Sequence, residues 1–568
     1  MKVSDYIVDY IRHRGIDAIF GYAGGSIADI IDSICREGLI RFIQNGNEQA
    51  AAFCANSYAQ VSGRTGVAVS SSGPGAINLI NGIANAYYDS IPCVFITGNA
   101  HSLSRKPSKH IRQNGFQETD IVAMVDGIVK YASYVDDENA IRYELGKAFY
   151  IAAEGRCGPV LLDIPYDIQR RDVDPALLKS YQPPSADVLD NKTQEVLDLI
   201  GEANRPLIVA GGGCHDAKCE LRRFLQEVKI PLVVSMRGLD LIPHDDERYI
   251  GFIGSYGNRA ANLAVQHSDL LIVLGSRLDE RQMGYKKCQF APNAKIVQVD
   301  VDESELGRKV DCKLRVKSDV GLFLSELAAK VEPLDFSPWV SFLKCLVHTY
   351  PSYDAGRYCA SNFLWSLSRF VDDDAIICVD VGQNQVIAVQ TFAVKSSQQF
   401  LCSAGLGCMG YSLPAAIGAY YAGNGRQVVS INGDGGLQMN MQELETISRE
   451  RLPVKVIVVH NNCLGLIRKL QERIFDGRYY ASVNGFSCPD LEKIADAYAF
   501  DYYKVESLDD YAKLGMALNS NRPCLVDAIF PLAFDANPEP GMAIFNQAPA
   551  LDEAEMRQIG IDAEGLRR

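Results

Sequence analysis

The stretch VVSINGDGG, residues 428–436, is the most informative part of the sequence, because it joins an apolar strand pattern to a glycine-rich turn that carries an acidic residue. A second apolar run, 454–459, ends in HNNCLG, where Asn461 follows Asp434 by 27 residues. Ligands of an open α/β sheet bind outside the carboxyl ends of its strands, so these two side chains are expected to lie together. A carboxylate and an amide oxygen suit Mg²⁺, which commonly also binds phosphate oxygens. The sequence therefore predicts a Mg²⁺ and phosphate site, with Asn462 as an alternative ligand to Asn461.

The bulk composition limits the class of protein. A length of 568 residues exceeds one hydrophobic core and predicts about three domains. A formal net charge of −14 argues against general binding to nucleic acids or to anionic membranes. No apolar run reaches the length of a membrane span, and the charged N-terminal stretch is expected to be an amphipathic helix rather than a signal peptide. Sixteen cysteines without a CxxC pair predict reduced thiols and a cytoplasmic location.

Apolar strand patterns alternate with helical patterns along the chain, which predicts the α/β class with parallel sheets. We expect three consecutive doubly wound parallel-sheet domains, at 1–170, 186–335 and 355–535, and a C-terminal tail at 536–568. The first and third domains have a similar size and rhythm but not a similar sequence. The predicted strands are 41–44, 66–71, 93–97, 160–164, 206–210, 232–235, 270–274, 296–301, 375–379, 428–431, 454–459 and 525–529.

Glu48 stands where a helix follows the short strand 41–44. A glutamate in the first turn of a helix is often only a partner of the helix dipole, and position alone does not decide between that role and catalysis. The next segment, SSSGPGAINLINGIANAYYDSIPCVFITG, contains a Gly-Pro-Gly turn, a helix of small residues and a buried strand. Together these segments resemble the pyrimidine-binding domain of acetohydroxyacid (acetolactate) synthase, a thiamine-diphosphate-dependent enzyme family. The resemblance implies that Glu48 hydrogen-bonds the aminopyrimidine ring of thiamine diphosphate and activates it.

Further motifs extend the resemblance over almost the whole chain. GYAGG at 21–25 is similar to the family's GYPGG loop, and FQETDIV at 116–122 also matches. DVGQNQ at 380–385 falls at the family's diphosphate-contacting turn, and GLGCMG at 405–410 places Met409 where an apolar residue supports the bent cofactor. The family usually has Asn-Asn at the second strand end, where this chain has His460 and Asn461.

The resemblance implies three groups of site residues. The catalytic group is Gly25, Glu48 and Gln117. The metal ligands are Asp434, Asn461 and the backbone carbonyl of Cys463. The group that contacts thiamine diphosphate is Tyr22, Asn85, Val381, Gly382, Gln383, Asn384, Gly407, Met409, Gly433, Asp434, Gly435, Gly436 and Asn461. Gly433, Gly435 and Gly436 are expected to let backbone N–H groups approach an anion.

The middle domain carries glycines and charged residues at its predicted strand ends, in AGGGC, GNRAAN, GSRLDER and VDVDESE. Such residues are often only turns or helix caps. Their order and spacing, however, resemble the flavin-binding middle domain of the same family, in which arginine suits phosphate binding and ring stacking. The resemblance implies FAD, with contacts from Gly212, Arg259, Gly275, Arg277 and Asp300.

Three features depart from the family at the substrate end of the site. Tyr166 replaces the family's Lys, and Leu470 replaces a Trp that shapes the acceptor pocket. The loop SLSRKPSKHIRQNG, 102–115, is longer and contains Arg105, Lys106, Lys109, His110 and Arg112. A charged run is usually a solvated surface, but this cluster could also hold a large anionic acceptor.

The resemblance thus implies a Mg²⁺- and thiamine-diphosphate-dependent carboligase. It would decarboxylate a 2-keto acid, most simply pyruvate, and transfer the two-carbon unit to a ketone or 2-keto acid, or to a nucleotide-linked keto-sugar. A flavin-dependent oxidase of the pyruvate oxidase type and a simple 2-keto acid decarboxylase are the alternatives. A paralogue that has lost its activity and serves as a regulatory subunit is a poor fit, because Glu48, Asp434 and Asn461 are all present. The family builds its sites across a subunit interface, which implies a homodimer or homotetramer.

Overall fold

Three six-stranded parallel sheets form the framework of the protein. The structure, a computed structural model, describes residues 1–108, 110–185, 190–532, 536–540 and 547–558. In the first sheet the strands are β1 Ala18–Gly21, β2 Arg41–Gln44, β3 Gly66–Ser70, β4 Cys93–Asn99, β5 Tyr131–Tyr134 and β6 Pro159–Pro165. In the second they are β7 Pro206–Ala210, β8 Leu232–Val234, β9 Tyr249–Phe252, β10 Leu270–Leu274, β11 Lys295–Asp300 and β12 Leu314–Lys317. In the third they are β13 Ile376–Val379, β14 Gln399–Cys402, β15 Val428–Gly433, β16 Lys455–His460, β17 Asp501–Val505 and β18 Cys524–Ile529.

The strand order explains where the glycine-rich turns lie. The first sheet has the order β2-β1-β3-β4-β6-β5, and the third has the equivalent order β14-β13-β15-β16-β18-β17. The second sheet has the order β12-β11-β10-β7-β8-β9. Each sheet has a switch point beside β1, β7 or β13, where connections leave in opposite directions, and such a point opens a crevice at the carboxyl ends of the strands. The predicted site residues follow strands on either side of these crevices.

The helices connect the parallel strands and cover both sheet faces. Those up to residue 169 are α1 Val3–His13, α2 Ala28–Glu37, α3 Glu48–Ser62, α4 Pro74–Asn78, α5 Ile80–Tyr88, α6 Ile121–Val125, α7 Ile141–Ala153 and α8 Tyr166–Gln169. The next are α9 Thr193–Glu202, α10 Lys218–Val228, α11 Arg259–His267, α12 Glu280–Met283, α13 Val320–Lys330 and α14 Ser337–Thr349. The last are α15 Ala360–Phe370, α16 Gln383–Thr391, α17 Ser412–Ala422, α18 Asp434–Met439, α19 Glu443–Arg449, α20 Gly465–Ile474, α21 Leu491–Ala497, α22 Ala512–Leu518 and α23 Glu553–Gln558.

The first and third sheets belong to one compact unit, and the second sheet belongs to another. In the first unit a single apolar core runs through both sheets and includes Phe20, Phe95, Tyr411 and Leu525. Helices α3 and α17 pack closely there, since a Cβ on Gly418 would lie 2.1 Å from the carbonyl oxygen of Cys54. The second unit has its own core around Leu271, Val273 and Trp339.

The predicted fold class is confirmed, and all twelve predicted strands are present with ends shifted by at most two residues. The prediction missed β1, β5, β9, β12, β14 and β17. The domain boundaries stay predictions, and those at 186 and 535 lie outside the described residues, as do residues 541–546 and 559–568 of the predicted tail at 536–568. All sixteen cysteines are free thiols, but only half of them are buried. None of the helices in the described residues combines the length and the apolar character needed to cross a bilayer.

Candidate active site

Asp434 lies at the junction of β15 and α18, where it is only 2% exposed. Its Oδ2 accepts a hydrogen bond from the backbone N–H of Asn462 at 2.6 Å, and its Oδ1 accepts one from Gly435 at 2.9 Å. Burial raises the pKa of the Asp434 carboxyl, while the nearby His460 and backbone donors oppose that rise. The carboxylate therefore lies at the end of β16 as well as β15, as the motif spacing predicts.

The two asparagines after β16 differ sharply in environment. Asn461 is buried, and its Oδ1 accepts the N–H of Cys463 at 3.4 Å. Asn462 is exposed and has a left-handed φ of 54°, so that its backbone rather than its side chain reaches Asp434. This arrangement favours Asn461 as the amide ligand. The thiol of the third expected ligand, Cys463, donates to the carbonyl of Leu532 at 3.5 Å.

An Asp and an Asn oxygen fit a hard cation such as Mg²⁺. Within the described ranges no group of three or more His, Cys, Asp or Glu side chains could hold a metal.

His460 is held by a carboxylate that the sequence reading did not identify. Its Nδ1 lies 2.8 Å from Oδ1 of Asp527 on the neighbouring strand β18, and Tyr502 donates to the other oxygen of Asp527 at 3.0 Å. Burial would lower the pKa of His460, but the hydrogen bond and charge of Asp527 raise it. The signal available in the sequence was a lone Asp within the apolar run CLVDAI at 524–529.

Asp380 follows β13 and is fully buried. Its Oδ1 accepts the N–H of Tyr411 at 2.8 Å, whereas its buried Oδ2 has no hydrogen-bond partner among the described residues. Burial raises the pKa of this carboxyl to about 7. A Cβ on Gly436 would lie 1.6 Å from that Oδ2, so Gly436 is needed to admit Asp380 as well as for the predicted anion contact. A buried acceptor without a partner is a feature expected of a site completed by a polar ligand.

The turn after Asp380 places the other predicted diphosphate residues beside the GDG turn. Val381 and Gly382 are half-buried, and the Asn384 amide donates to the carbonyl of Asp380 at 2.7 Å. A Cβ on Gly433 would lie 3.0 Å from Asn384 Oδ1, which brings the two turns into contact. Gln383 approaches α20 instead, because its Oε1 would be 1.9 Å from a Cβ on Gly465.

The loop after β14 supplies Gly407 and Met409. Gly407 has a left-handed φ of 77°, and the space that its Cβ would enter is open. Ser403 accepts the N–H groups of Gly407 and Cys408 and donates to Asn85 of the first sheet at 2.6 Å. The Met409 methyl lies 3.7 Å from the Cβ position of Gly435. Met409 is thus beside the Asp434 turn. Asn85 accepts the Ser403 hydroxyl through Oδ1, whereas its buried amide nitrogen has no hydrogen-bond partner among the described residues.

Glu48 is the first residue of α3 and is 8% exposed. Its Oε2 accepts a hydrogen bond from the Asn78 amide at 3.0 Å. A Cβ on Gly75 would lie 2.8 Å from its Oε1, which explains the glycine of the Gly-Pro-Gly turn. Gln117, with a left-handed φ of 56°, packs against Gly73 of the same turn. The structure therefore brings Glu48 and Gln117 to one turn.

The GYAGG turn after β1 lies on the same side of the first sheet. The Ala23 N–H donates to Gln44 at 3.1 Å, and a Cβ on Gly24 would lie 2.4 Å from that of Ser71. Open space surrounds Gly25, and Tyr22 is 43% exposed. Gly25 and Tyr22 are therefore accessible from the surface of this chain.

In the second sheet the turns after β7 and β10 interlock. Gly213 donates to the carbonyl of Gly275 at 3.0 Å, and Gly275 has a left-handed φ of 53°. Gly212 packs on the side chain of Arg237. Arg277 lies 3.4 Å from the carboxylate of Asp279. The second sheet thus places two interlocked glycine turns close in sequence to Arg277, a combination of residue types that suits a phosphate-bearing ligand.

The other two predicted flavin contacts have partners of their own. Asp300 Oδ1 accepts the N–H of Asp302 at 2.9 Å. The Arg259 guanidinium donates to the carbonyl of Pro549 at 2.6 Å and lies over the ring of Tyr350. Arg259, which the sequence predicted to contact FAD, thus donates to the backbone of a C-terminal segment instead.

At the substrate end, Tyr166 packs edge-on against His101, and Leu470 is exposed on α20. In the basic loop, Arg105 lies over the ring of Tyr134 and near Asp136, while His110 and Arg112 are exposed. The buried Glu118 accepts the N–H groups of Lys106 and Asn114, each at 2.7 Å, so it holds the loop backbone. Lys109 lies outside the described residues.

Comparison with known proteins agrees with this geometry. Three family models match: Thiamine pyrophosphate enzyme, N-terminal TPP binding domain at 1–124, central domain at 193–327, and C-terminal TPP binding domain at 380–528. The chain is 37% identical over 561 residues to Probable acetolactate synthase 2, chloroplastic, of Oryza sativa subsp. japonica, covering 93% of this chain and 83% of the relative. It is 38% identical over 495 residues to the Acetolactate synthase large subunit of Corynebacterium glutamicum, covering 84% and 78%. The chain therefore belongs to the thiamine pyrophosphate enzyme family, as a thiamine-diphosphate-dependent, acetolactate synthase-like enzyme.

Proposed function

We propose that the protein is a carboligase that decarboxylates pyruvate and transfers the two-carbon unit to a ketone or 2-keto acid acceptor. The observation that carries this proposal is the buried Glu48 at the start of α3, held by Asn78 beside the Gly-Pro-Gly turn. A carboxyl group in a dry site is suited to one strong hydrogen bond to a ring nitrogen. The names of the relatives, acetolactate synthases, support pyruvate as the donor.

The chain's own residues would perform separate tasks. Thiamine diphosphate, when bound, supplies the carbanion chemistry at its thiazolium ring. Glu48 would hydrogen-bond the pyrimidine ring of the cofactor and transfer a proton to or from that ring. Asp434, Asn461 and the Cys463 carbonyl would hold Mg²⁺ against the diphosphate, and Met409 would support the cofactor and exclude water.

Replacement of Glu48 by Gln tests the proposal. Glu48→Gln should lower kcat by about a hundredfold or more while thiamine diphosphate binding changes little, because a proton-transfer group would be lost and the metal site retained. Glu37→Gln, the same change at an exposed site on α2, is the matched control. Near-normal turnover of Glu48→Gln, measured as acetolactate formation and pyruvate consumption, would overturn the proposal.

We also propose that the second sheet binds FAD, with Arg277 as a phosphate contact. The interlocked Gly213 and Gly275 turns and the half-buried Arg277 support this. Purified protein should show flavin absorbance, and Arg277→Ala should lose most of it. Arg281→Ala, an exposed arginine nearby in the chain, should retain it. Flavin-free protein with full activity would contradict this proposal.

We propose, for the acceptor, a group bulkier and more anionic than pyruvate, such as a nucleotide-linked keto-sugar. The exposed Leu470 and the exposed side chains of His110 and Arg112 support this choice. Arg112→Ala should raise the acceptor KM and leave pyruvate decarboxylation unchanged, since a remote binding contact affects KM first. Arg105→Ala should act instead on stability, because Arg105 packs on Tyr134. Efficient acetolactate formation from pyruvate alone, unaffected by Arg112→Ala, would favour pyruvate as the acceptor.

A further inference from the structure

A buried carboxylate of the third sheet holds the loop that immediately precedes Glu48. Glu443 begins α19 and has no exposed surface. Its Oε1 accepts the backbone N–H of Gly46 at 2.7 Å, and its Oε2 accepts the Asn45 amide at 3.0 Å. These contacts join residues almost 400 positions apart in the chain, within the same compact unit.

The loop packs tightly against α19 at Gly46. A Cβ on Gly46 would lie 2.9 Å from Oε1 of Glu443 and 2.6 Å from Cγ of Gln442. The next residue, Asn47, caps α3 by accepting the N–H of Ala50 at 2.9 Å. Glu48 follows directly as the first residue of the helix. Glu443 therefore reaches Glu48 through two residues of constrained backbone.

The chemistry of this contact is unusual for a purely structural role. The hydrogen-bond donors described for Glu443 are neutral: the backbone N–H groups of Gly46 and Asn47, the Asn45 amide and the Thr446 hydroxyl at 3.0 Å. Burial raises the pKa of Glu443, so its desolvation is costly. An apolar residue would stabilise a packed interior more cheaply. A role in holding the loop before Glu48 accounts for a carboxylate at this buried position.

We propose that Glu443 is a positioning residue that fixes the start of α3 so that Glu48 meets the pyrimidine ring of the cofactor. This inference rests on the proposed role of Glu48. It assigns to α19 of the third sheet a direct influence on the proton-transfer group of the first sheet.

The test measures activation separately from binding, as the rate of hydrogen–deuterium exchange at the thiazolium C2 of enzyme-bound thiamine diphosphate. Glu443→Gln should lower this rate and kcat in parallel by about tenfold or more, with pyruvate KM and cofactor affinity changed by less than about threefold. Two control variants leave the contacts between Glu443 and the loop in place. Glu445→Gln changes an exposed site on the same helix, and Thr446→Val removes only the hydroxyl that donates to Glu443. Both should exchange at nearly the wild-type rate.

Gly46→Ala provides a second, independent variant, because it keeps the carboxylate but forces the loop away from it. It should reproduce the loss of exchange even if Glu443→Gln folds poorly. Normal exchange in folded Glu443→Gln or in folded Gly46→Ala would overturn the inference. Normal exchange in Glu48→Gln would instead overturn the proposed function, and the inference with it.

Discussion

At the scale of single residues, the exposure of the two asparagines after β16 makes a sharp prediction. Asn461 is buried beside the Asp434 turn, whereas Asn462 points to solvent with a left-handed backbone. Asn461→Ala should weaken Mg²⁺ binding by about tenfold or more, because an oxygen ligand would be lost. Asn462→Gly removes the other side chain without backbone strain, so it should change the Mg²⁺ affinity little. Magnesium titrations of cofactor binding decide the matter, and a larger loss in Asn462→Gly would reverse the assignment.

Asp163 predicts a pH dependence of stability. This buried residue of β6 accepts hydrogen bonds from Thr97 and Asn99, and burial raises its pKa from 3.8 to about 7. The folded state thus binds the proton more tightly than the unfolded state, so this contribution to stability is present below about pH 4 and is lost as the pH rises to about 7.

The variant Asp163→Asn cannot ionise. Its stability relative to the wild type should rise between pH 4 and pH 7 by up to about 1.4 kcal/mol per pH unit. Urea unfolding of both proteins at several pH values measures the difference. A relative stability that falls with pH would contradict the assignment of a protonated Asp163.

At the scale of elements, the packing of α3 against α17 depends on a glycine. A Cβ on Gly418 would lie 2.1 Å from the Cys54 carbonyl oxygen and 2.3 Å from the Ser57 hydroxyl. Gly418→Ala should therefore destabilise the first unit by about 1–3 kcal/mol, because the helices must separate. Gly201→Ala is the matched control, since open space surrounds its Cβ position in α9 and the change there should be neutral or stabilising. Equal unfolding temperatures for the two variants would contradict the close packing.

The strands that the sequence prediction missed show which secondary-structure elements have a weak sequence pattern. Five of the six missed strands, β5, β9, β12, β14 and β17, are at sheet edges. Edge strands such as β5 and β17 are only partly buried, so their apolar pattern is weak. The sixth, β1, has only four residues and follows a helix closely.

At the scale of the whole molecule, we expect each active site to combine Glu48 of one subunit with Asp434 of another. In this chain Glu48 contacts Asn78 and the Gly75 turn of the first sheet, whereas Asp434 contacts turns of the third. Glu48→Gln and Asp434→Ala should each be inactive alone. Co-expressed, they should recover about a quarter of the wild-type activity, because half of the dimers would contain one intact site of two. Absence of recovery in mixed dimers, verified by tagged purification, would contradict a shared site.

The sequence by itself determined the α/β class, most central strands and the turns that carry Glu48, Asp434 and Asn461. These features are local, because apolar runs and glycine turns at strand ends are readable within a few residues. Only the tertiary structure showed Asp527 beside His460, Asp380 beneath Gly436 and Glu443 against the loop before Glu48. The sequence pattern around a polar residue predicts that it needs a partner when buried, but the choice among distant partners depends on how the sheets and helices pack.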